Sequence, residues 1–351
     1  SRAIDNPGMV RKLPSVVCIG SSVLDFESIT SEELKHDGGS YAGRVVQRCG
    51  GTSRNHAEAI GRLLGAAGGD STSVTLLSAV GCDANGEHLM RETAKHAGVT
   101  RVHRSTTAPT ATHMSMNQRG NILFGISYFE AILKELTPEY ISANADVLAS
   151  ADFIFCDANL PVQTLSRVLE IAKENKIKVW FEPTEISIAH KFLDSTTPSA
   201  VSVISPNISE FIAILGRLGV EADESSLDSP SALLAFLLIL PPLFPHLDML
   251  MVTLDQRGSL LITREFVAEK YKVSECPWGI AHILPPPDID EIVSVSGAGD
   301  NLNSALLVSL LLGRSLEDSI DLALQAVACT LGSTDAIAEE LSQMQIASRC
   351  N

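Results

Sequence analysis

Paired cysteines are missing from this sequence, and aromatic residues are few. The seven cysteines include no CxxC pair, and an odd number at irregular spacing fits neither a disulfide framework nor a zinc site. We therefore expect reduced thiols, most of them buried. Only 5% of the residues are aromatic although 45% are hydrophobic. This balance is typical of aliphatic helices packed against a buried parallel sheet.

Clusters of basic residues are also missing. The chain has 26 Lys and Arg against 42 Asp and Glu, a formal net charge of −16. Because phosphate backbones reward clustered positive charge, this balance argues against nucleic acid or an anionic membrane surface as the main partner. A small phosphate-bearing ligand stays compatible with it, since a helix N-terminus and a few backbone amides can hold a phosphate locally.

Long apolar runs and metal-binding histidine spacings are absent as well. The longest apolar stretch, near residues 232–244, contains Pro241 and Pro242, so it does not indicate a membrane span. The N-terminus shows no basic segment followed by an apolar one, and we expect a cytoplasmic protein. The histidines lack HxxxH and HExxH spacing. We interpret them as ordinary surface or packed groups.

Apolar, β-branched segments alternate with helical patterns along most of the chain, which predicts one α/β domain over 15–340. The expected fold is a three-layer sandwich around a mostly parallel sheet. The first strand, 15–24, ends beside Asp25, and open sheets of this kind bind ligands at strand ends. The alternation breaks at 27–49 and 100–126, which we interpret as a discontinuous β lid. Residues 1–14 are expected to form an N-terminal extension, and IAHKFL at 188–193 a helix.

The sequence SGAGDNLNSALLVSLLLG carries the most specific chemical signal. Gly297, Ala298 and Gly299 precede Asp300 at the start of a long apolar helix. Small residues let the backbone approach a ligand, and the helix N-terminus faces the charge that develops on a transferring phosphoryl group. Asp300 would then accept the proton of an attacking hydroxyl. The alternative is a glycine-rich helix start with an N-terminal charge, which the short motif alone leaves open.

A second motif, CGGTSRNHAEAIGRLLG, places Gly50 and Gly51 before a helix whose first turn contains Asn55. An Asn there donates and accepts together, which suits a vicinal diol. A simple turn with a helix cap explains the same residues equally well. The P-loop pattern GxxxxGK[ST] does not occur in the chain.

Taken in order, GGxxxN, SPNxxE and GAGD resemble the ribokinase-like (phosphofructokinase B) carbohydrate and nucleoside kinases. The resemblance implies ATP as phosphoryl donor, with Asp25, Gly50, Gly51 and Asn55 binding the acceptor and Asp300 acting as base above the amides of Gly297, Ala298 and Gly299. It further implies that Asn207 and Glu210 of SPNISE organise water around Mg²⁺. Asn207 and Glu210 can also be interpreted as the end of a strand followed by a helix cap.

On the nucleotide side, TLDQRGS resembles the family's TLGxxG turn, so the resemblance implies that Thr253 and Gly258 contact ATP. Asp255 stands where the family usually has Gly. Gln325 falls where a residue close to the adenine or ribose is common, although a polar position on a packed helix explains it as well. Ser294 and Asn301 also depart from the family pattern. The resemblance implies that these positions affect helix packing or the binding of a monovalent cation such as K⁺, a further candidate cofactor.

Within that family, FCDANLP, WFEPTEISIAHK and VSVSGAGDNL resemble pseudouridine kinases. This implies a nucleoside ribose hydroxyl as acceptor, with the base selected by Thr112, Asn117 and Asn159. Another sugar or nucleoside kinase, or a catalytically silent nucleoside-binding protein, remains an alternative. We expect a homodimer, since an exposed lid sheet needs its edges covered, and a fused or partner pseudouridine glycosidase is a further expectation.

Overall fold

The computed structural model describes residues 13–35, 38–119, 121–289 and 292–346, so most of the predicted 1–14 extension lies outside the described residues. The strands are Val16–Ile19 (β1), Val23–Thr30 (β2), Arg44–Gly50 (β3), Val74–Leu77 (β4), Ala79–Gly81 (β5), His103–Ser105 (β6), Ala111–Gln118 (β7), Asn121–Tyr128 (β8), Phe153–Asp157 (β9), Lys178–Glu182 (β10), Val201–Ile204 (β11), Met249–Thr253 (β12), Ser259–Thr263 (β13), Lys272–Cys276 (β14) and Gly279–Leu284 (β15). The helices are Thr52–Ala66 (α1), Ala84–Thr93 (α2), Glu130–Leu133 (α3), Pro138–Ala143 (α4), Ala145–Ala149 (α5), Val162–Asn175 (α6), Ile208–Arg217 (α7), Pro230–Leu238 (α8), Ala298–Leu311 (α9) and Leu316–Leu331 (α10).

The main sheet has the strand order β14-β15-β13-β12-β11-β10-β9-β1-β4 within the described residues. Six neighbouring strands of this sheet are parallel, namely β4, β1, β9, β10, β11 and β12. The strands β13, β15 and β14 continue the sheet, each antiparallel to its neighbour. The parallel strands are short and aliphatic because both of their faces are covered by helices. The predicted mostly parallel sheet is confirmed, and β14 and β15 are strands that the sequence patterns did not indicate.

Alternate residues of each strand enter two different cores. Val17 and Ile19 of β1 pack in one apolar cluster with α6 and α7, while Val16 and Cys18 pack in a second cluster with α1, α9 and α10. This division follows from the two-residue period of a strand. The predicted three-layer α/β sandwich is confirmed, and α1 and α9 lie on the same side of the sheet.

A small four-stranded sheet has the order β3-β2-β7-β8. In it β2 is antiparallel to β3 and parallel to β7, and β7 and β8 form an antiparallel hairpin. Asp25 lies in β2 of this sheet and not at the end of β1, because the strand predicted over 15–24 stops at Ile19. The predicted lid segment 100–126 is also divided, since His103–Ser105 pairs with Ala79–Gly81 outside the small sheet.

Two other expectations need correction. The helix predicted at 188–193 is a short 3₁₀ helix, Lys191–Asp194, because the segment offers only one turn before Ser195. Of the six described cysteines, all free, two are buried, three are partly buried and Cys82 is exposed.

No helix among the described residues combines the length and apolar character needed to cross a membrane.

Candidate active site

The N-terminus of α9 is held by a close backbone contact with the segment after α10. Gly297 caps the helix in the left-handed region, with φ of 76°, and a Cβ at this position would lie 2.0 Å from the Ala336 carbonyl oxygen. Only glycine fits such a position without displacing its neighbour. The buried Asn301 side chain donates from Nδ2 to the carbonyl oxygens of Gly297 (2.7 Å) and Ala336 (2.8 Å). Asn301, a departure from the family pattern, therefore fastens the glycine turn.

The first-turn amides of α9 have no acceptors within the helix, as at any helix N-terminus. One of the predicted ligand donors is nevertheless engaged, because Ala298 N–H donates to the Val295 carbonyl at 3.3 Å. Gly299 is exposed and faces open space. The positive end of the helix dipole at Gly299 and Asp300 is the part of the predicted anion site that remains open.

Asp300 connects this helix to the glycine turn before α1. Its Oδ2 accepts from Asn55 Nδ2 at 2.7 Å, and its Oδ1 lies 3.4 Å from His56 Nε2. The Asp300 side chain keeps 17% of its surface exposed. Burial raises the pKa of Asp300 to about 6, against the lowering effects of the Asn55 hydrogen bond and the Arg54 charge. A carboxylate with this pKa is ionised at neutral pH and is a stronger proton acceptor than an exposed one.

Asn55 was predicted to bind the acceptor, but its side chain is largely used inside the protein. Its Oδ1 accepts from the buried Arg54, and one Nδ2 proton goes to Asp300. Arg54 is itself paired with Glu58. Asn55 therefore orients the carboxylate directly, and within the described residues the second Nδ2 proton is available to a ligand.

Asp25 and the two glycines of the predicted acceptor set do come together. The Asp25 carboxylate lies against Gly50, where a Cβ would be 2.0 Å from Oδ2, and Gly51 has φ of 94° and approaches the Ser22 backbone. Burial raises the pKa of Asp25 to about 6, opposed by the charges of His113, Arg54 and Arg48. The glycines are required here because any side chain would fill the space that the carboxylate and the neighbouring backbone occupy.

One face of the small sheet carries a polar network beside Asp25. Glu27 on β2 pairs with Arg48 on β3 and accepts from Asn117 Nδ2 on β7 at 2.8 Å. His113 faces Asp25 across the strands and bonds Ser127 on β8 at 2.8 Å. We name this the inner face. Because neighbouring strand residues point to opposite sides, the register places Thr112 beside Leu24 on the other face. Thr112 and Asn117, predicted together, are thus separated.

Asp157 is a residue whose importance the sequence patterns did not indicate. It is fully buried at the end of β9, and its Oδ2 accepts from Ser21 N (2.9 Å), Ser21 Oγ (2.9 Å), Ser53 N (3.1 Å) and Ser53 Oγ (2.8 Å). These bonds join the ends of β1 and β9 to the start of α1. Asn159, predicted to select the base, donates from Nδ2 to Ser21 Oγ at 3.2 Å and so belongs to this network.

A cavity of about 700 Å³ extends from the start of α9 to the loop after β15. Ala298, Gly299, Thr253 and Gly258 line it, as do Asp255 and Asn303. Its apolar wall is formed by Pro286, Ile289, Ile292, Leu324, Val327 and Leu331. Gln325 is exposed and does not line the cavity, because the helical spacing 324, 327 and 331 turns its side chain away. The structure thus does not bring Gln325 together with Thr253 and Gly258, and its contact with the nucleotide stays a prediction.

Asn207 and Glu210 form a capping box at the start of α7 and also line the cavity. Asn207 Oδ1 accepts from Glu210 N, and Glu210 Oε2 accepts from Asn207 N, both at 2.9 Å. Burial raises the pKa of Glu210 to about 7, with a further contribution from the Glu185 charge. The capping interpretation and the ligand interpretation are compatible, since Oε1 of Glu210 takes no part in the box.

Glu182, at the end of β10, is a second carboxylate in this wall that was not predicted as a site residue. Its Oε2 accepts from Ser205 Oγ (2.6 Å) and Asn303 Nδ2 (3.0 Å). Burial and the charges of Glu210 and Asp300 raise its pKa well above the ordinary value. Its position at the carboxyl end of a parallel strand is the kind of place where open sheets bind ligands. Within the parts of the chain that the structure describes, no group of three or more His, Cys, Asp and Glu is arranged to hold a metal.

The profile of the pfkB family of carbohydrate kinases matches residues 13–343. The chain belongs to this family. Its members are phosphotransferases with alcohol acceptors, and the matched region contains every residue of the site described above. The resemblance inferred from GGxxxN, SPNxxE and GAGD is thereby confirmed at the level of the family.

Two curated relatives of this pfkB-family chain have the same sequence identity to it and differ in how much of each protein is covered. The pseudouridine kinase of Arabidopsis thaliana is 26% identical over 259 residues, which cover 71% of this chain and 65% of that protein. The bifunctional protein HldE of Shewanella sp. (strain ANA-3) is 26% identical over 226 residues, covering 64% of this chain and 41% of that protein. The chain thus spans less than two thirds of the length of either relative.

Solved structures of the family share the whole fold. The ribokinase of Arabidopsis thaliana, in complex with ribose and ATP, has a TM-score of 0.72 and 17% identity, covering 95% of this chain and 98% of that chain. A carbohydrate kinase from Agrobacterium tumefaciens has a TM-score of 0.68 and 20% identity, covering 96% of this chain and 98% of that chain. At such identities the likeness establishes the ribokinase-like fold.

Proposed function

We propose that this pfkB-family chain transfers the terminal phosphoryl group of ATP to a hydroxyl of a small sugar or nucleoside. The observation that carries the proposal is the position of Asp300. It is bonded on one side to Asn55, beside the glycine turn and Asp25, and it follows Gly299 in the wall of the 700 Å³ cavity. A carboxylate between the residues proposed to bind the acceptor and a nucleotide-sized cavity suits phosphoryl transfer.

In this mechanism Asp300 accepts the proton of the acceptor hydroxyl. The acceptor oxygen forms a bond to the γ-phosphorus while the bond from that phosphorus to the bridging oxygen of ADP breaks. The open amides of Gly299 and Asp300 and the α9 dipole stabilise the charge on the transferring group. The apolar wall around Leu324 and Val327 is suited to the adenine ring, with Thr253 and Gly258 closer to the phosphates.

The cavity wall fits a divalent cation that arrives with the nucleotide. Glu182 and Glu210 are buried carboxylates whose pKa values are raised partly by neighbouring carboxylates, and a cation would relieve that repulsion. Glu210, through water and its Oε1, which lies outside the capping box, and Glu182 would hold Mg²⁺ there. When bound, Mg²⁺ would neutralise phosphate charge. K⁺ as a further cofactor stays a prediction.

For the acceptor, we propose the 5′-hydroxyl of pseudouridine. The inner face offers Glu27 as acceptor, Arg48 as donor and Asn117 as both, a combination that suits the alternating carbonyl and N–H groups of a uracil base. The sequence likeness to a pseudouridine kinase supports the same choice. A plain sugar such as ribose, which needs no base pocket, is the competing acceptor. A partner pseudouridine glycosidase and a cytoplasmic location stay predictions.

The small sheet is proposed to close over the acceptor and to join two copies of the chain. Its outer face, opposite Glu27 and Asn117, exposes Val45, Met114, Phe124, Ile126 and Tyr128, each more than half exposed, at 67%, 53%, 56%, 67% and 54%. An apolar sheet face of this kind is normally covered. Light scattering on the chain should give twice 37.5 kDa, and a monomeric mass at high concentration would rule the dimer out.

The function is tested with ATP, Mg²⁺ and a panel containing pseudouridine, uridine, adenosine, ribose and fructose. We expect ADP formation with pseudouridine at a kcat/KM at least tenfold above the other acceptors. Phosphorylation of ribose or adenosine instead would end the pseudouridine assignment and keep the kinase. No phosphorylation of any acceptor, with nucleotide binding retained, would favour the catalytically silent alternative.

A further inference from the structure

A histidine is buried directly behind the proposed base. The His56 side chain, in the first half of α1, is 0% exposed. Its Nδ1 lies 2.9 Å from Ser304 Oγ on α9, and its Nε2 lies 3.4 Å from Asp300 Oδ1. Within the described residues, Nε2 makes no hydrogen bond that satisfies normal geometry. It is thus a fully buried polar atom that lies beside the carboxylate of Asp300.

We propose that His56 is a positioning residue for the phosphoryl transfer inferred above: held by Ser304 in the tautomer that carries its proton on Nε2, it donates that N–H to Asp300 Oδ1. Asn55 donates to the other oxygen, Oδ2, at 2.7 Å. The carboxylate is then oriented by one neutral donor on each oxygen. The inference rests on the proposed role of Asp300 as base.

The tautomer follows from the chemistry of the two partners. A carboxylate only accepts hydrogen bonds, so an unprotonated Nε2 beside Oδ1 would place two lone pairs against each other in a buried space. The Ser304 hydroxyl can donate to Nδ1, which leaves the single ring proton on Nε2. The 3.4 Å separation is long for this bond, as is common for catalytic contacts before substrate is bound.

The ring remains neutral, because burial lowers the pKa of His56 to about 3. A neutral donor has a specific advantage at this place. It lowers the pKa of Asp300 and fixes its orientation, yet it does not form the tight ion pair that would make the carboxylate a weak base. His56 therefore adjusts the proton affinity of Asp300 without titrating in the range where the base works.

Packing alone does not account for a histidine here. Its ring packs against Phe155 with centroids 3.7 Å apart and ring planes tilted by 31°, and Phe155 stacks on Trp180. An apolar side chain would satisfy those contacts without burying two ring nitrogens, whose desolvation is costly unless they are bonded. The nitrogens are explained by the Ser304 and Asp300 contacts.

Other groups also act on the Asp300 carboxylate and must be kept constant in a test. Arg54 on α1 lowers its pKa, and Asp157 on β9 raises it. Glu182 on β10 interacts with it as a like charge. Variants at His56 leave all three in place, so a change in the titration of Asp300 can be assigned to the lost donor.

The test compares His56→Leu, which removes the donor, with His56→Gln, which keeps an N–H. Ser309→Ala is the matched control, because Ser309 is equally buried on α9 and loses a similar bond, to Ser319 at 2.9 Å, away from Asp300. The acidic limb of the kcat profile is measured with ATP and the best acceptor of the panel. We expect His56→Leu to move its midpoint up by about one pH unit, the scale of one hydrogen bond to a charged group.

In His56→Gln the midpoint should return most of the way to the wild-type pH, and in Ser309→Ala it should stay at the wild-type pH. A lower kcat in His56→Leu with an unmoved midpoint would overturn the inference, since that is the result of a purely structural role. So would equal shifts in His56→Leu and Ser309→Ala. These readouts separate orientation of the base from loss of packing.

Two measurements need no turnover and keep this inference distinct from the kinase proposal. The carboxyl ¹³C titration of Asp300, assigned with Asp300→Asn, should show the same upward shift in His56→Leu. The ring ¹⁵N shifts of His56 in the wild-type chain should show a protonated Nε2 and a bare Nδ1. A proton on Nδ1 would overturn the inference even if His56→Leu does not fold. An inactive wild-type chain with the expected NMR results would remove the kinase proposal and would leave the His56–Asp300 bond in place.

Discussion

The two ends of the candidate site are built in different ways. At the α9 end, the backbone is fixed by Gly297, where there is no room for a side chain, and by Asn301, which bonds two carbonyl oxygens from a buried position. At the small-sheet end, the network of Glu27, Arg48 and Asn117 joins side chains across three strands that have an exposed apolar face behind them. Close backbone contacts fix the first end, whereas the second end is formed by side chains on the strands.

This difference suggests a division of labour within the protein. If the proposed function holds, changes at the α9 end should act on the reacting atoms, because Asp300 follows Gly299 at the helix start. Changes on the inner face act on which acceptor is bound, because strand residues there can be replaced without moving the core. Variants at the two ends should therefore separate kcat from the KM of the acceptor.

The largest effect is expected at Asp300. Asp300→Asn should lower kcat by about two to four orders of magnitude, the scale of a lost general base, with little change in the KM of ATP. Steady-state kinetics checks this. An unchanged kcat would remove Asp300 from the role of base and would break the division between the two ends.

The same variant should be more stable than the wild-type chain. The folded-state pKa of Asp300 is raised to about 6 from an ordinary value of 3.8, so ionisation costs folding free energy that is absent at low pH and grows as the pH rises through this interval. At pH 7.5, Asp300→Asn should raise the free energy of unfolding by about 1 to 2 kcal/mol. Urea unfolding at pH 7.5 measures this, and the gain should vanish near pH 4.

An intermediate effect is expected on the inner face. Asn117→Ala should raise the KM of the acceptor about tenfold, the scale of one or two lost hydrogen bonds, with kcat and the KM of ATP nearly unchanged. Thr112→Ala is the control, since Thr112 lies on the opposite face of the same strand. If Thr112→Ala raises the acceptor KM as much as Asn117→Ala does, the assignment of the inner face to the acceptor is wrong.

The smallest effect is expected at Asp255, in the cavity wall. This exposed residue has φ of 50°, a region that favours glycine, and it adds negative charge where phosphates would lie. Asp255→Gly should stabilise the chain by about 0.5 kcal/mol and lower the KM of ATP a few-fold. Lys176→Gly is the control, because Lys176, with φ of 57°, ends α6 outside the cavity. Equal KM changes in both variants would exclude an electrostatic effect of Asp255.

The sequence predicted the α9 end better than the small sheet. GAGD is a local pattern whose helix start, glycine geometry and carboxylate all follow from neighbouring residues, and the structure has them as expected. The face on which Thr112 lies depends on strand register, which is decided by pairing with β2, about ninety residues earlier in the chain. The direction of the Gln325 side chain depends on how α10 is rotated relative to the cavity. The role of Asp157 depends on its bonds to two distant segments of the chain. None of these is encoded within a short window.

The central claim is that Asp300 lies where the nucleotide and the acceptor meet, and a crystal structure with a non-hydrolysable ATP analogue, Mg²⁺ and pseudouridine tests it most directly. The account predicts the terminal phosphate at the start of α9 and the acceptor hydroxyl within about 3.2 Å of the Asp300 carboxylate, a distance suited to proton transfer. A nucleotide bound outside the cavity, or an acceptor hydroxyl that does not contact Asp300, would contradict it.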